Sequence, residues 1–252
     1  YNVCVGYEAG TAITTGDNNV AVGYIAGNDV TTGIQNTLIG ASAGKNLTDA
    51  DANVAVGFNS LVTDTLGNWS TAVGRYALFA QNFTSDTNSY NTAVGYYAGG
   101  AITTGVRNTI IGALAGDALT DADDNVAVGR DALSADTLGN WSTAVGYATL
   151  PVQNFTSATN TYNTAVGYSA GNDVTTGVQN TLLGAQAGQK LTDADSNIAV
   201  GFNSLANDTL GSRAVAVGRY ALFYQNFTSA ANSENIAVGY YAGNAITTGV
   251  RN

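Results

Sequence analysis

A five-residue phrase recurs along the whole chain: Asn, a β-branched residue, usually Ala, an aliphatic residue, then Gly. It ends at Gly6 (NVCVG), Gly23 (NVAVG), Gly40 (NTLIG), Gly57 (NVAVG) and Gly74 (STAVG). It returns at Gly95, Gly112, Gly129, Gly146, Gly167, Gly184, Gly201, Gly218 and Gly239. These 14 copies lie 17 residues apart, except for three steps of 21. From Gly23 the order 17, 17, 17, 21 closes every 72 residues, giving super-repeats at about 19–90, 91–162 and 163–234. A 17-residue unit is too short for a helical-hairpin repeat, which needs about 33 residues or more. It suits one coil of a β-solenoid, an all-β parallel architecture. Each unit supplies a short β-branched strand, a Gly where the backbone needs φ freedom, and a second turn marked by Asn and Gly. Strands stacked in register predict a rod of roughly 62 Å for the 14 coils.

Alternation within the phrase places neighbouring residues on opposite faces. The aliphatic row (Val22, Ile39, Val56, Val73) is expected to form the coil's own core. The small-residue row (Ala21, Ala55, Ala72, Ala93) is expected to pack closely against another chain. A thin coil encloses few side chains, so association is expected, as a parallel homotrimer sharing the Ala-rich faces. Residues 1–252 read as one repetitive segment of a longer fibre, because neither end shows a capping repeat. The terminal AITTGVRN (245–252) duplicates 101–108, where the repeat continues into TIIG.

Composition narrows the function classes. Only 10% of residues are charged while 45% are apolar, so the chain can bury surface and is not expected to be disordered. A net charge of −10 makes nucleic acid or an anionic membrane surface a poor partner. No apolar run is long enough to span a bilayer as a helix. Cys4, the single cysteine, stands where most copies have Ala and is expected to be a small buried thiol. With no His and with every Asp cluster repeated, no enzyme, no catalytic residue and no cofactor are expected.

The phrase resembles the head repeat of the YadA-like trimeric autotransporter adhesins, in which a run like SVAIG precedes a small residue. NVAVG with Ala26, and NTAVG with Ala98 and Ala170, carry the likeness. NTAVGYxAG…TTG is also similar to repeats of phage tail fibres. The resemblance implies a left-handed parallel β-roll, trimeric and mounted on a longer stalk. Asn in place of the usual Ser, and coils of 17 residues, depart from that pattern.

Candidate sites lie in the repeated insertions and turns. The long coils read YALFAQNFTSDTNSYN (76–91), ATLPVQNFTSATNTYN (148–163) and YALFYQNFTSAANSEN (220–235). Insertions in solenoids map to loops that often bind, and Phe83, Phe155 and Phe227 with Tyr90 and Tyr162 would offer stacking surfaces for sugars. Strict repetition of QNFTS favours a structural role for the same residues. The Tyr after Gly (Tyr24, Tyr96, Tyr147, Tyr168, Tyr240) reads as cross-strand packing. LTDAD and its copies place Asp49 with Asp51, Asp121 with Asp123, and Asp193 with Asp195 as weak oxygen ligands for a hard cation. An Asp at a turn ordinarily bonds backbone instead. Thr-Thr-Gly at 14–16, 31–33, 103–105, 175–177 and 247–249 returns mostly once in four coils, too sparse for an ice-binding Thr array.

The reading these features support is a structural or adhesive shaft of an extracellular fibre, on a virion tail or a cell surface. It would present a surface to a cell-surface glycan or protein receptor. The alternative is a self-assembling extracellular filament or matrix protein.

Overall fold

The computed structural model describes residues 1–252. The fold is all-β, a parallel β-solenoid of about 14 coils with no helix. It comprises two compact units, Tyr1–Asn125 and Val126–Asn252. The first unit holds β1 (Val3–Val5), β2 (Val20–Val22), β3 (Thr37–Ile39), β4 (Val54–Val56), β5 (Gly67–Asn68), β6 (Thr71–Val73), β7 (Thr87–Asn88), β8 (Thr92–Val94) and β9 (Thr109–Ile111). The three-residue strands pair in the order β1-β2-β3-β4-β6-β8-β9, with Ala21 opposite Leu38 and Val22 opposite Ile39. β5 pairs separately with β7. The second unit repeats this plan. It holds β10 (Val126–Val128), β11 (Gly139–Asn140), β12 (Thr143–Val145), β13 (Thr159–Asn160), β14 (Thr164–Val166), β15 (Thr181–Leu183), β16 (Ile198–Val200), β17 (Gly211–Ser212), β18 (Val215–Val217), β19 (Ala231–Asn232) and β20 (Ile236–Val238).

The strands are three residues long because each ends on a glycine that no other residue can replace. Gly23 has φ +142°, and a Cβ there would meet the carbonyl oxygen of Gly40 at 2.4 Å. Two residues on, the chain turns a left-handed corner even at side chains such as Ile25 (φ 49°) and Ser42 (φ 58°). That conformation costs about 1–2 kcal/mol per residue. It is held by coil-to-coil hydrogen bonds: Ile25 N–H donates to the Tyr7 carbonyl (2.8 Å) and Ser42 N–H to that of Tyr24 (2.9 Å).

The two rows expected from alternation exist, but their roles are exchanged. Ala21, Ala55, Ala72 and Ala93 are buried inside the coil, as are Leu38, Ile110 and Leu182 at the same position. Val22, Val56 and Val73 are half-exposed, and Ile39 keeps 39% of its surface in solvent. Period-2 alternation says which residues share a face, not which face is inside. The interior is decided by what else enters it. Each coil also sends inward the residue seven after the strand-ending glycine, such as Val30, Leu47, Ile102 and Leu119. Little volume is left, so the central strand residue is usually Ala. Leu38 fits because two glycines make room: a Cβ on Gly27 or Gly44 would lie 2.6 or 2.5 Å from its methyl carbons. Where that glycine is replaced by a buried leucine (Leu61, Leu78, Leu133, Leu150), the inward position three residues later becomes polar: Asp64, Gln81, Asp136, Gln153. Cys4 pairs in register with Ala21 in the inward row. It is nevertheless exposed rather than buried, because a neighbouring strand covers β1 on one side only.

The asparagine that opens most of the phrases forms a buried ladder. Asn36 Oδ1 accepts from the Asn53 N–H (2.9 Å), and its Nδ2 donates to the Ala50 carbonyl (2.7 Å). Asn19 and Asn53 do the same one coil to either side. Buried backbone groups at the corner are thereby satisfied where the short strands cannot reach them.

Candidate interaction surfaces

At Ser70 and Ser142 the ladder residue is a serine whose hydroxyl meets that of Ser89 or Thr161 in the next coil (2.6 Å each), and the long coil supplies the missing amide. Gln81 Nε2 donates to Ser70 Oγ (2.8 Å) and to the buried Asp64 (2.6 Å), while its Oε1 accepts from Asn91 Nδ2 (2.9 Å). Asp64 also accepts from the N–H groups of Gly67 (3.1 Å) and Phe83 (3.0 Å). The same arrangement surrounds Asp136, with Gln153 bridging to Ser142, whereas around Asp208 the Gln225 amide keeps its bonds to the carboxylate and to Asn235 but meets Ala214 where the serine would stand. Burial pushes the Asp136 carboxyl above the usual carboxylate range, against the hydrogen bonds from Gln153 and from backbone N–H groups that favour its ionised form. QNFTS therefore repeats for an internal reason: its Gln completes a buried polar chain.

The phenylalanines of these loops turn inward. Phe83, Phe155 and Phe227 are at most 7% exposed, so their rings are not available as stacking platforms. Tyr90 and Tyr162 remain about half-exposed, edge-on to Trp69 (5.7 Å between centroids) and Trp141 (5.0 Å). Thr84, Ser85 and Asp86 project from the loop into solvent.

The alternate aspartates serve neighbouring coils. Asp49 accepts from the Thr32 hydroxyl, and Asp51 from the Ile34 N–H (2.8 Å). Asp121 and Asp193 accept from Thr104 and Thr176 (2.7 Å each), Asp123 and Asp195 from the N–H groups of Val106 and Val178 (2.8 Å each). No group of three or more His, Cys, Asp or Glu side chains converges on a point that would hold a metal ion.

Threonines do line up on successive coils, which counting TTG tripeptides missed. Thr14, Thr31, Thr48 and Thr65 occupy one row, because Thr48 comes from LTDAD and Thr65 from DTLG. Each of the first three hydroxyls donates to the carbonyl of the next threonine at 3.1–3.2 Å, which spends its donor within the protein.

Two exposed features stand out on a surface that has no pocket. One is the outer sheet face, where Val, Ile or Thr and an aliphatic residue flank every buried central residue and stay partly exposed. The other is the row directly after the strand-ending glycine. Tyr7 stacks on Tyr24 (5.4 Å, 11° between planes) and Tyr147 on Tyr168 (5.5 Å, 10°), the cross-coil packing expected of that row. The row also holds arginines: Arg75 lies 5.6 Å over the Phe58 ring and 4.8 Å over that of Tyr76, and Arg219 sits equivalently over Phe202 and Tyr220. The sequence contained this signal, since Phe58, Arg75 and Tyr96 each follow a motif glycine, but only the stacking of coils makes them neighbours. No helix is long and apolar enough to cross a membrane. Compared with protein-family models, curated proteins and solved structures, the chain matches none.

Proposed function

We propose that the chain is the structural and adhesive shaft of an extracellular, non-enzymatic fibre, on a virion tail or a cell surface, built as a parallel homotrimer. The observation that carries this reading is the unpartnered outer sheet face. In the first unit Val20, Thr37, Val54, Thr71, Thr92 and Thr109 run beside Val22, Ile39, Val56, Val73, Val94 and Ile111, with none of them fully buried. Covering what remains exposed of each aliphatic side chain is worth on the order of 1 kcal/mol. A row of them makes association strongly favoured, and such rows ordinarily mark an interface. The contact surface of the trimer is thus this aliphatic face, in place of the alanine row, which each coil encloses itself.

A shaft of this kind needs no cavity and no catalytic group. Its repeated surface offers weak, multivalent contact with a receptor, and the 72-residue super-repeat is the unit by which it lengthens. Light scattering on the purified chain tests the assembly: the expected mass is three times 25.6 kDa. A stable monomer would overturn the shared face, and open-ended polymers would favour a filament that grows end to end.

A further inference from the structure

We infer that the arginine–aromatic clusters around Arg75 and Arg219 are binding sites for an acidic polysaccharide, one whose pyranose rings carry carboxylates. This deepens the adhesive reading above and rests on it. In the first cluster Phe58, Arg75 and Tyr96 follow the glycines of three successive coils, so ring, guanidinium and ring stand in one line along the stack. Adjacent members are about 4.8 Å apart along that line, close to the length of one pyranose unit. Phe58 is 44% and Tyr96 50% exposed. Behind them Tyr76 packs edge-on to Phe58 (5.5 Å) and Phe79 (5.4 Å), which fixes the ring that supports the guanidinium. The second cluster has the same parts: Phe202, Arg219 and Tyr240 in line, with Tyr220 edge-on to Phe202 (5.6 Å) and Phe223 (5.1 Å).

The charge pattern selects the ligand. Neither Arg75 nor Arg219 has a carboxylate within 4.0 Å, although the chain carries 18 acidic residues and a net charge of −10. Arg130, by contrast, is paired with Asp131 at 2.9 Å. Arg75 Nη2 donates only to the Tyr76 hydroxyl, at 3.4 Å, and a guanidinium without a carboxylate partner presents a fork of donors that matches one. The flanking ring faces suit the C–H face of a sugar. A neutral glycan would leave the guanidinium without its complement. Single-stranded nucleic acid wants a continuous basic groove along its backbone, whereas each cluster offers one cation between rings, which matches a single carboxylate on a sugar ring. Two such clusters give weak sites that act together.

The test is calorimetric titration of the full chain with sodium polygalacturonate, with dextran of similar length and with single-stranded polythymidylate. Binding is expected for polygalacturonate alone, weakening as salt rises. The double variant Arg75→Gln/Arg219→Gln should lose at least about tenfold in affinity, and Phe58→Leu/Phe202→Leu should weaken binding while keeping apolar volume. Arg130→Gln should change it less than about twofold, because that guanidinium is already paired. Circular dichroism and light scattering on each variant confirm fold and mass. Equal binding to dextran, stronger binding to polythymidylate, or an unchanged affinity in the double arginine variant would each overturn the assignment. A trimer that binds none of the polymers removes these sites and leaves the shaft standing, whereas a monomer that binds polygalacturonate does the reverse.

Discussion

Leu38 shows how closely single residues are matched in this interior. Its methyl groups occupy the space that a Cβ on Gly27 or Gly44 would need, so the leucine and the two glycines are one packing decision. Leu38→Ala should lower unfolding stability by about 2–5 kcal/mol, the range for emptying a fully buried leucine site, read as a shift in the urea midpoint. Asp136 is the residue whose contribution depends on pH. Burial raises its carboxyl pKa in the folded state, so the folded chain holds that proton to higher pH than the unfolded chain. Its contribution is therefore greatest below the unfolded carboxylate pKa and is lost as pH rises through the folded value. The urea midpoint of Asp136→Asn, measured across this range, should fall less with rising pH than that of the parent. An identical pH profile would assign the buried carboxyl no role. The sequence showed Asp136 only as one aspartate of a repeated DTLG, and nothing local distinguished it from the solvent-facing Asp121.

At the scale of the element, a three-residue strand forms too few ladder bonds to stand alone, and the asparagine beside it completes the edge. Asn36→Ala would remove the acceptor of the Asn53 N–H and the donor to the Ala50 carbonyl, both buried. Unsatisfied buried groups cost about 1–3 kcal/mol each, so a loss of about 2–4 kcal/mol is expected in chemical denaturation. Asn59→Ala, at a left-handed corner outside the ladder, should cost less. The strands themselves, their ends and their parallel register were legible in the recurrence of Asn-x-Ala-x-Gly, since equal spacing leaves one way to stack. The inward direction was not. Both Ala21 and Val22 are apolar, and the choice between them depends on how much room Val30 and its counterparts leave inside the coil.

For the whole molecule, the proposed assembly rests on the outer face. Val73→Lys combined with Val94→Lys places two charges in adjacent strands of the aliphatic row, without touching the buried alanines between them. Light scattering should show the variant as a monomer that keeps the β-sheet circular dichroism of the parent. A trimer that survives both lysines would move the contact to another surface. Because these side chains are half-exposed within one chain, their substitution weighs on association far more than on folding of the coil.

The 17-residue period, with its three four-residue insertions, by itself determined the parallel solenoid, the place of the 14 strands of the main sheet and the glycine at the end of each. These follow from local stereochemistry and from repetition, which need no knowledge of distant contacts. Which row fills the interior, that Gln81 bridges Asp64 to Asn91, that Phe83 is buried and that Arg75 lies between two rings were decided only by the tertiary structure. Each of these depends on volumes and distances between residues that meet only when one coil is laid upon the next.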